Sequence, residues 1–302
     1  MTTLEVVHET RFRYAAPVTQ AQHLAHMQPL QDARQQLLEH TLAIEPAVAQ
    51  RRHDLDAYGN QRVFFSLTQP HRELRVRARS LVTLQPRAQP LLADRSPAWE
   101  LVRQRLRYES GGLYDPAVEF AQPSPYVPRL AALRDYGAAS FAAGTPVALG
   151  AIDLMRRIHA DFEFSSDSTE IDTPLIEVFQ QRSGVCQDFA HLMIGALRML
   201  GLAARYVSGY LLTLPPPGKE ALLGADASHA WVQVYCPATP GAASGWFELD
   251  PTNDLIPDTD HVRLALGRDY ADVTPLRGVI RGGGRHTLSV RVNTRRMEPA
   301  LG

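Results

Sequence analysis

The stretch GVCQDFAHLMIGALRML, residues 184–200, together with the apolar runs after it, constrains this chain more than any other feature. Leu192, Met193, Ala196, Leu197 and Leu200 recur at helical spacing and make one apolar stripe. Three runs rich in β-branched and aromatic residues come next, AARYVSGYLLTL, HAWVQVY and GWFELD, with RHTLSVRVNT as a final strand. A helix followed by consecutive strands is an α+β order. It excludes the strand–helix alternation of a doubly wound parallel sheet. Two helices precede the stretch. Thr145-Pro146 opens one with Leu149, Ile152, Met155, Ile158 and Phe162 on one side, and Thr173-Pro174 opens another that stops before Gly184.

The N-terminal part has a different period. In LEVVHETRFRY, Leu4, Val6, His8, Thr10, Phe12 and Tyr14 alternate with Glu5, Val7, Glu9, Arg11 and Arg13. In LRVRARS, Leu74, Val76 and Ala78 share one face and Arg75, Arg77 and Arg79 the other. The arginine row reads either as a solvated face or as an anion-binding surface. Gly59-Asn60 before an apolar run marks a turn. Residues 1–85 therefore read as an antiparallel β domain of sandwich type. In 86–145 seven prolines, Pro86 to Pro128, break regular structure. That part reads as a Pro-rich linker with short helices, one running from Ser96-Pro97 to Leu106. Residues 146–295 read as the core that carries the chemistry.

Composition narrows the function classes. Lysine plus arginine total 31 against 32 acidic residues, a net charge of −1, so there is no basic excess for gripping nucleic acid. The longest uncharged stretch, near YGAASFAAGTPVALGAI, is too short and too small in side chain to span a bilayer. The first residues lack a basic region followed by an apolar one, which sets the expectation of a cytoplasmic protein. Cys186 and Cys236 are expected as free thiols. No Cys-x-x-Cys or His-Glu-x-x-His spacing occurs, and neither metal nor cofactor is expected. DLIPDTDHVR is a weak calcium candidate. Oligomeric state has no signature in the chain.

Cys186 begins a helix, where free N–H groups and the positive end of the macrodipole favour a thiolate. The competing reading is a small apolar filler, the usual role of a free cysteine; Cys236, at the end of an apolar strand, takes that reading. A thiol nucleophile needs a base. His191 lies five residues along the helix, roughly 140° around from Cys186, and cannot serve. His229 opens a strand in DASHAWVQVY, and Asp250 closes the next in GWFELDP. If the two strands form a hairpin, residues 229 and 250 become cross-strand neighbours, and a carboxylate beside the imidazole fixes its tautomer. A turn aspartate before Pro251 is the alternative for Asp250. The stretch LTLPPPGKEALLGADASHA is a candidate loop over the site.

At these segments the chain resembles a known family. GVCQDFAHLMIGALRMLGLAARYVSGYL, DASHAWVQVY and WFELDPTND are similar to the core of the transglutaminase-like superfamily in its bacterial branch. HETRFRYAAPVTQAQHLAHMQPL and DAYGNQRVFF resemble the β domain that precedes that core, and GRDYADVTPLRGVIRGGGRHTLSVRV also fits. The resemblance implies a papain-like α+β core with Cys186 as nucleophile, His229 as general base and Asp250 as orienting carboxylate. It implies acyl transfer from a carboxamide, glutamine-type, on a protein, peptide or small amide, through a thioester to an amine or to water. The Cys186 N–H is the first oxyanion donor. Gln187 or an indole, Trp231 or Trp246, is a candidate second donor or positioning group, with a packing role as the alternative. Hydrolysis by a cysteine peptidase or amidase uses the same residues. An inert binding module would be expected to have lost part of the triad.

Overall fold

The computed structural model describes residues 1–87, 90–108, 110–111, 114–166, 168–212, 228–242 and 244–297. The first part forms strands β1 (Thr2–Ala25), β2 (Gln35–Glu45), β3 (Gln50–Leu55), β4 (Gln61–Leu67) and β5 (His71–Leu84). Helices α1 (Trp99–Arg105), α2 (Ala131–Ala138) and α3 (Val147–Asp161) follow. Next come β6 (Glu163–Phe164), α4 (Leu175–Gln181), β7 (Ser183–Gly184) and α5 (Cys186–Met199). The chain continues through β8 (Ala204–Leu211), β9 (Ser228–Tyr235), β10 (Trp246–Leu249) and β11 (His261–Gly267). It closes with α6 (Tyr270–Val273), β12 (Leu276–Gly282) and β13 (His286–Arg296). The fold is α+β, an antiparallel β domain followed by helices and a second antiparallel sheet. None of the described helices is long and apolar enough to cross a membrane.

The first sheet runs β2-β5-β1-β4-β3, and β12 and β13 both pair with β1. The alternation in β1 and β5 has the expected result: Leu4, Val6, Leu74, Val76 and Ala78 are buried. Two arginines of the row, Arg75 and Arg79, form ion pairs, and Arg77 is exposed. Arg75 meets Glu9 at 2.7 Å, and Arg79 meets Glu5 at 2.6 Å. Two expected boundaries shift. Residues 276–296, placed with the core by the sequence, add β12 and β13 to the first sheet, because one 24-residue strand, β1, offers both of its edges. Residues 86–145, read as a linker, give Val102, Leu106, Phe120, Val127 and Leu133 to the same apolar core as α5.

The second sheet, β10-β9-β8-β11, packs on α5. In α3 the expected Met155, Ile158 and Phe162 are buried and Ile152 packs against the core, but Leu149 is exposed and the buried face widens to include Val147, Ala151 and Leu154. The two sheets meet through Leu4, Val6, Val82, Tyr210, Val262 and Val292. His8 sits in this contact, 2 % exposed, with Nδ1 at 3.0 Å from the Tyr210 hydroxyl. Burial pushes the pKa of His8, His23 and His40 down to about 4, and that of His191 down to about 3. A histidine held neutral in the fold takes up protons on unfolding, so its contribution is complete above pH 6.5 and lost as pH falls toward the folded pKa. The urea midpoint is therefore expected to fall steeply between pH 6.5 and 4. A His8→Asn variant should show a shallower fall over that range; an identical slope would mean that His8 contributes nothing to it.

Candidate active site

The start of α5 is built by its neighbours. α4 ends where Arg182 adopts a left-handed backbone, φ 57°, and the chain reverses there without a glycine. Gly184 serves another purpose: a Cβ there would lie 2.8 Å from Asp188, whose carboxylate folds back over the turn. Asp188 Oδ2 accepts the Val185 N–H at 2.9 Å and the Thr169 hydroxyl at 2.6 Å. This leaves Cys186 at the head of a helix whose first N–H groups have no intrahelical acceptor. Burial raises the Asp188 pKa, against the pull of its two donors. Farther along, the buried His191 accepts the Tyr270 N–H at 3.2 Å and stacks on Tyr126.

β9 and β10 form the expected antiparallel pair, from Trp246↔Tyr235 to Leu249↔Val232. Continuing that register sets Asp250 opposite residue 231, so its carboxylate reaches His229 diagonally rather than directly across. His229 Nε2 lies 2.7 Å from Asp250 Oδ2. Cys186 is half-buried and close enough to the imidazole to act on its charge, and the Asn253 amide lies 3.3 Å from His229 Nε2. Burial disfavours the charged ring, but the hydrogen bond to Asp250 and the interaction with Cys186 outweigh it and raise the His229 pKa.

Asp250 has no exposure to solvent. Its Oδ1 accepts the Thr252 and Asn253 N–H groups at 3.0 and 3.2 Å. Its Oδ2 accepts the Asn253 amide at 2.8 Å and faces His261 Nε2 at 3.2 Å, in addition to His229. Burial alone would raise its pKa; these donors hold it well below the usual carboxylate range. Asn253 and His261 complete the site without having been legible as members of it. Asn253 had a weak signal, a turn position three residues after Asp250; His261 had none. Ligand atoms of His229, Asp250 and His261 lie within 4.8 Å of one another, a separation that could hold a metal ion, but here they hydrogen-bond to one another.

Trp231 is fully buried. Its ring stacks on His229 at 5.9 Å and meets His261 edge-on at 5.1 Å. Its indole N–H has no acceptor among the described residues. Gly209 makes room for it, since a Cβ at that position would lie 2.3 Å from the indole. Gln187 donates its amide to the Ile171 carbonyl at 3.0 Å and so ties the segment before α4 to the start of α5. Trp246 stands at the far end of β10, under the Arg205 guanidinium at 4.1 Å, and does not flank the site. Cys236 is buried, and burial pushes its thiol up, as a packing role requires. Asp258 in the weak calcium candidate is paired with Arg34 at 2.7 Å. The loop expected over the site, residues 213–227, lies outside the described residues.

Comparison with known proteins agrees with this architecture. Residues 4–83 match the bacterial transglutaminase-like N-terminal region, and residues 138–251 match the transglutaminase-like superfamily. An uncharacterized protein of Mycobacterium tuberculosis is 43% identical over 91% of this chain and 86% of its own length. One of Mycobacterium leprae is 31% identical over 98% of this chain and 100% of its own. A protein-glutamine gamma-glutamyltransferase of Pseudomonas aeruginosa is 34% identical over 42% of this chain, a match spanning 18% of that protein. The structure of a candidate cysteine protease from Cytophaga hutchinsonii superposes with a TM-score of 0.75 at 21% identity, covering 100% of this chain and 92% of that one. The fold and site define a papain-like α+β protein with an N-terminal β domain. This chain belongs to the transglutaminase-like superfamily, a family of cysteine-dependent acyl transfer and hydrolysis.

Replacing Asp250 by Asn keeps the shape and removes the charge. The His229 pKa, followed by NMR of the imidazole nitrogens, is expected to fall by about one unit or more. An unchanged value would mean that Asp250 does not set the charge state of His229.

Proposed function

We propose that this protein transfers acyl groups from carboxamides through a thioester on Cys186, with His229 as acid–base and Asp250 as its orienting carboxylate. The observation that carries the reading is the position of His229, hydrogen-bonded at 2.7 Å to a fully buried carboxylate and near enough to the thiol at the head of α5 for the two to interact electrostatically. Asp250 favours the imidazolium, and the imidazolium together with the helix start favours the thiolate.

The thiolate attacks the carboxamide carbon, and the oxyanion forms beside the Cys186 N–H. Collapse breaks the C–N bond as His229 gives its proton to the leaving ammonia. A primary amine then attacks the thioester, His229 takes the proton, and the thiolate is released with a new amide formed. The acyl donor proposed is a glutamine-type carboxamide on a protein, a peptide or a small amide. The activity for which the Pseudomonas relative is named supports this choice. Water in place of the amine gives hydrolysis by the same residues.

Incubation of the chain with a glutaminyl peptide and a fluorescent primary amine tests the proposal. Expected are ammonia release, label on the glutamine side chain and a transient thioester mass on the peptide containing Cys186. All three should vanish in Cys186→Ala and persist in Cys236→Ala. Ammonia without label would assign hydrolysis. Neither product from the wild type, or equal turnover by Cys186→Ala, would overturn the proposal.

A further inference from the structure

A cavity of about 540 Å³ opens away from the thiol, where the second sheet meets the segments 32–34 and 85–87. All four strands of that sheet reach it: Arg205 from β8, Gln233 from β9, Trp246 and Glu248 from β10, and Arg263 from β11. Arg34 and Arg87 close the other side. Four guanidinium groups thus line one space.

The acids nearby are already committed. Arg263 pairs with Asp32 at 2.6 Å and lies 3.7 Å from Glu248, which also accepts the Gln233 amide at 2.6 Å. Arg34 pairs with Asp258. Arg87 and Arg205 have no carboxylate within ion-pair distance among the described residues. Arg87 donates to the Pro257 carbonyl at 2.9 Å and lies over the Phe247 ring at 5.5 Å. Arg205 donates to the Gln233 side-chain oxygen at 2.6 Å and lies over Trp246. The Nε atoms of Arg34 and Arg87 are buried with no acceptor among the described residues.

Burying a cation without a counter-ion is unfavourable. Burial pulls the pKa of Arg205 down to about 10 and lowers that of Arg87, yet both remain charged at neutral pH. The two groups are also held in place by aromatic rings, Arg205 over the Trp246 indole and Arg87 over the Phe247 phenyl ring. Held and desolvated, with Glu248 near enough to attract both and Asp258 to attract Arg87 but neither near enough to pair with them, they match the planar recognition of an oxyanion.

We propose that this cavity is a second binding site, for a small molecule bearing an oxyanion group, phosphate or carboxylate, held by Arg87 and Arg205 against Trp246. The arginine-rich hollow at the far end of α5 is a poorer candidate. Its Arg107 and Arg129 are exposed, and its buried Arg198 already donates to four acceptors, the Phe120, Ala204 and Arg268 carbonyls and the Ser124 hydroxyl.

Titration calorimetry of the full chain with inorganic phosphate, pyrophosphate and glutarate tests the proposal, with Trp246 fluorescence as a second readout. Expected is saturable binding of at least one probe with a Kd at or below about 1 mM. Binding of the phosphates alone assigns a phosphoryl ligand, and binding of glutarate alone a carboxylate. Arg87→Gln and Arg205→Gln should each weaken binding about tenfold or more, and Arg107→Gln should leave it unchanged. The fluorescence change should vanish in Trp246→Phe. Should Arg205→Gln fail to fold, Arg87→Gln and the fluorescence still decide. No saturable binding to the wild type up to about 10 mM, or equal binding by Arg87→Gln, would overturn the proposal.

Discussion

Asp250 is a carboxylate without access to water, and its charge can persist there only because the surrounding atoms replace a hydration shell. Two backbone N–H groups, the Asn253 amide and the rings of His229 and His261 converge on its two oxygens. The isolated bridge between Asp250 and Leu255 folds the turn that supplies three of these contacts. Losing any one donor leaves a desolvated charge, which costs about 1–3 kcal/mol or more. This explains why the end of β10, the following turn and the start of β11 are folded as one unit around a single side chain.

The rest of the molecule brings that unit to the thiol. α5 carries Cys186 at one end and is surrounded by α2, α3, α4 and the second sheet, so the thiol sits on a fully packed element. The first sheet covers the other part of the second sheet through Leu4, Val6, Val82 and Tyr210. Because β12 and β13 return to β1, the chain leaves the core and closes on the sheet where it began. The N-terminal β domain is thus joined to the core by an apolar contact with β8 and β11, of which β8 is the neighbour of β9 in the second sheet.

Much of this was legible in the chain because it is local. Period two in β1 and β5, the apolar stripe of α5 and a cysteine at a helix start are properties of short windows. The hairpin of β9 and β10 brought 229 and 250 within reach of a single inference, though the contact is diagonal. What was not legible depends on distant segments. His261 has no local pattern, and only the pairing of β11 with β8 carries it to Asp250. The return of residues 276–296 to β1 depends on an edge that a sequence does not display. The role of Gly184 is set by Asp188, four residues on, folding back over it. The prolines of 86–145 suggested a linker, yet a segment without long elements can still bury Leu106, Phe120 and Leu133.

If His229, charged by Asp250, primes the Cys186 thiol, the rate of alkylation by iodoacetamide against pH shows it most directly. Followed peptide by peptide, Cys236 serves as the internal reference. Cys186 should react at neutral pH much faster than an ordinary free thiol, and His229→Ala should abolish this advantage. A Cys186 that reacts no faster than an ordinary thiol, or equally fast in the His229→Ala variant, would contradict the priming of the thiol by His229.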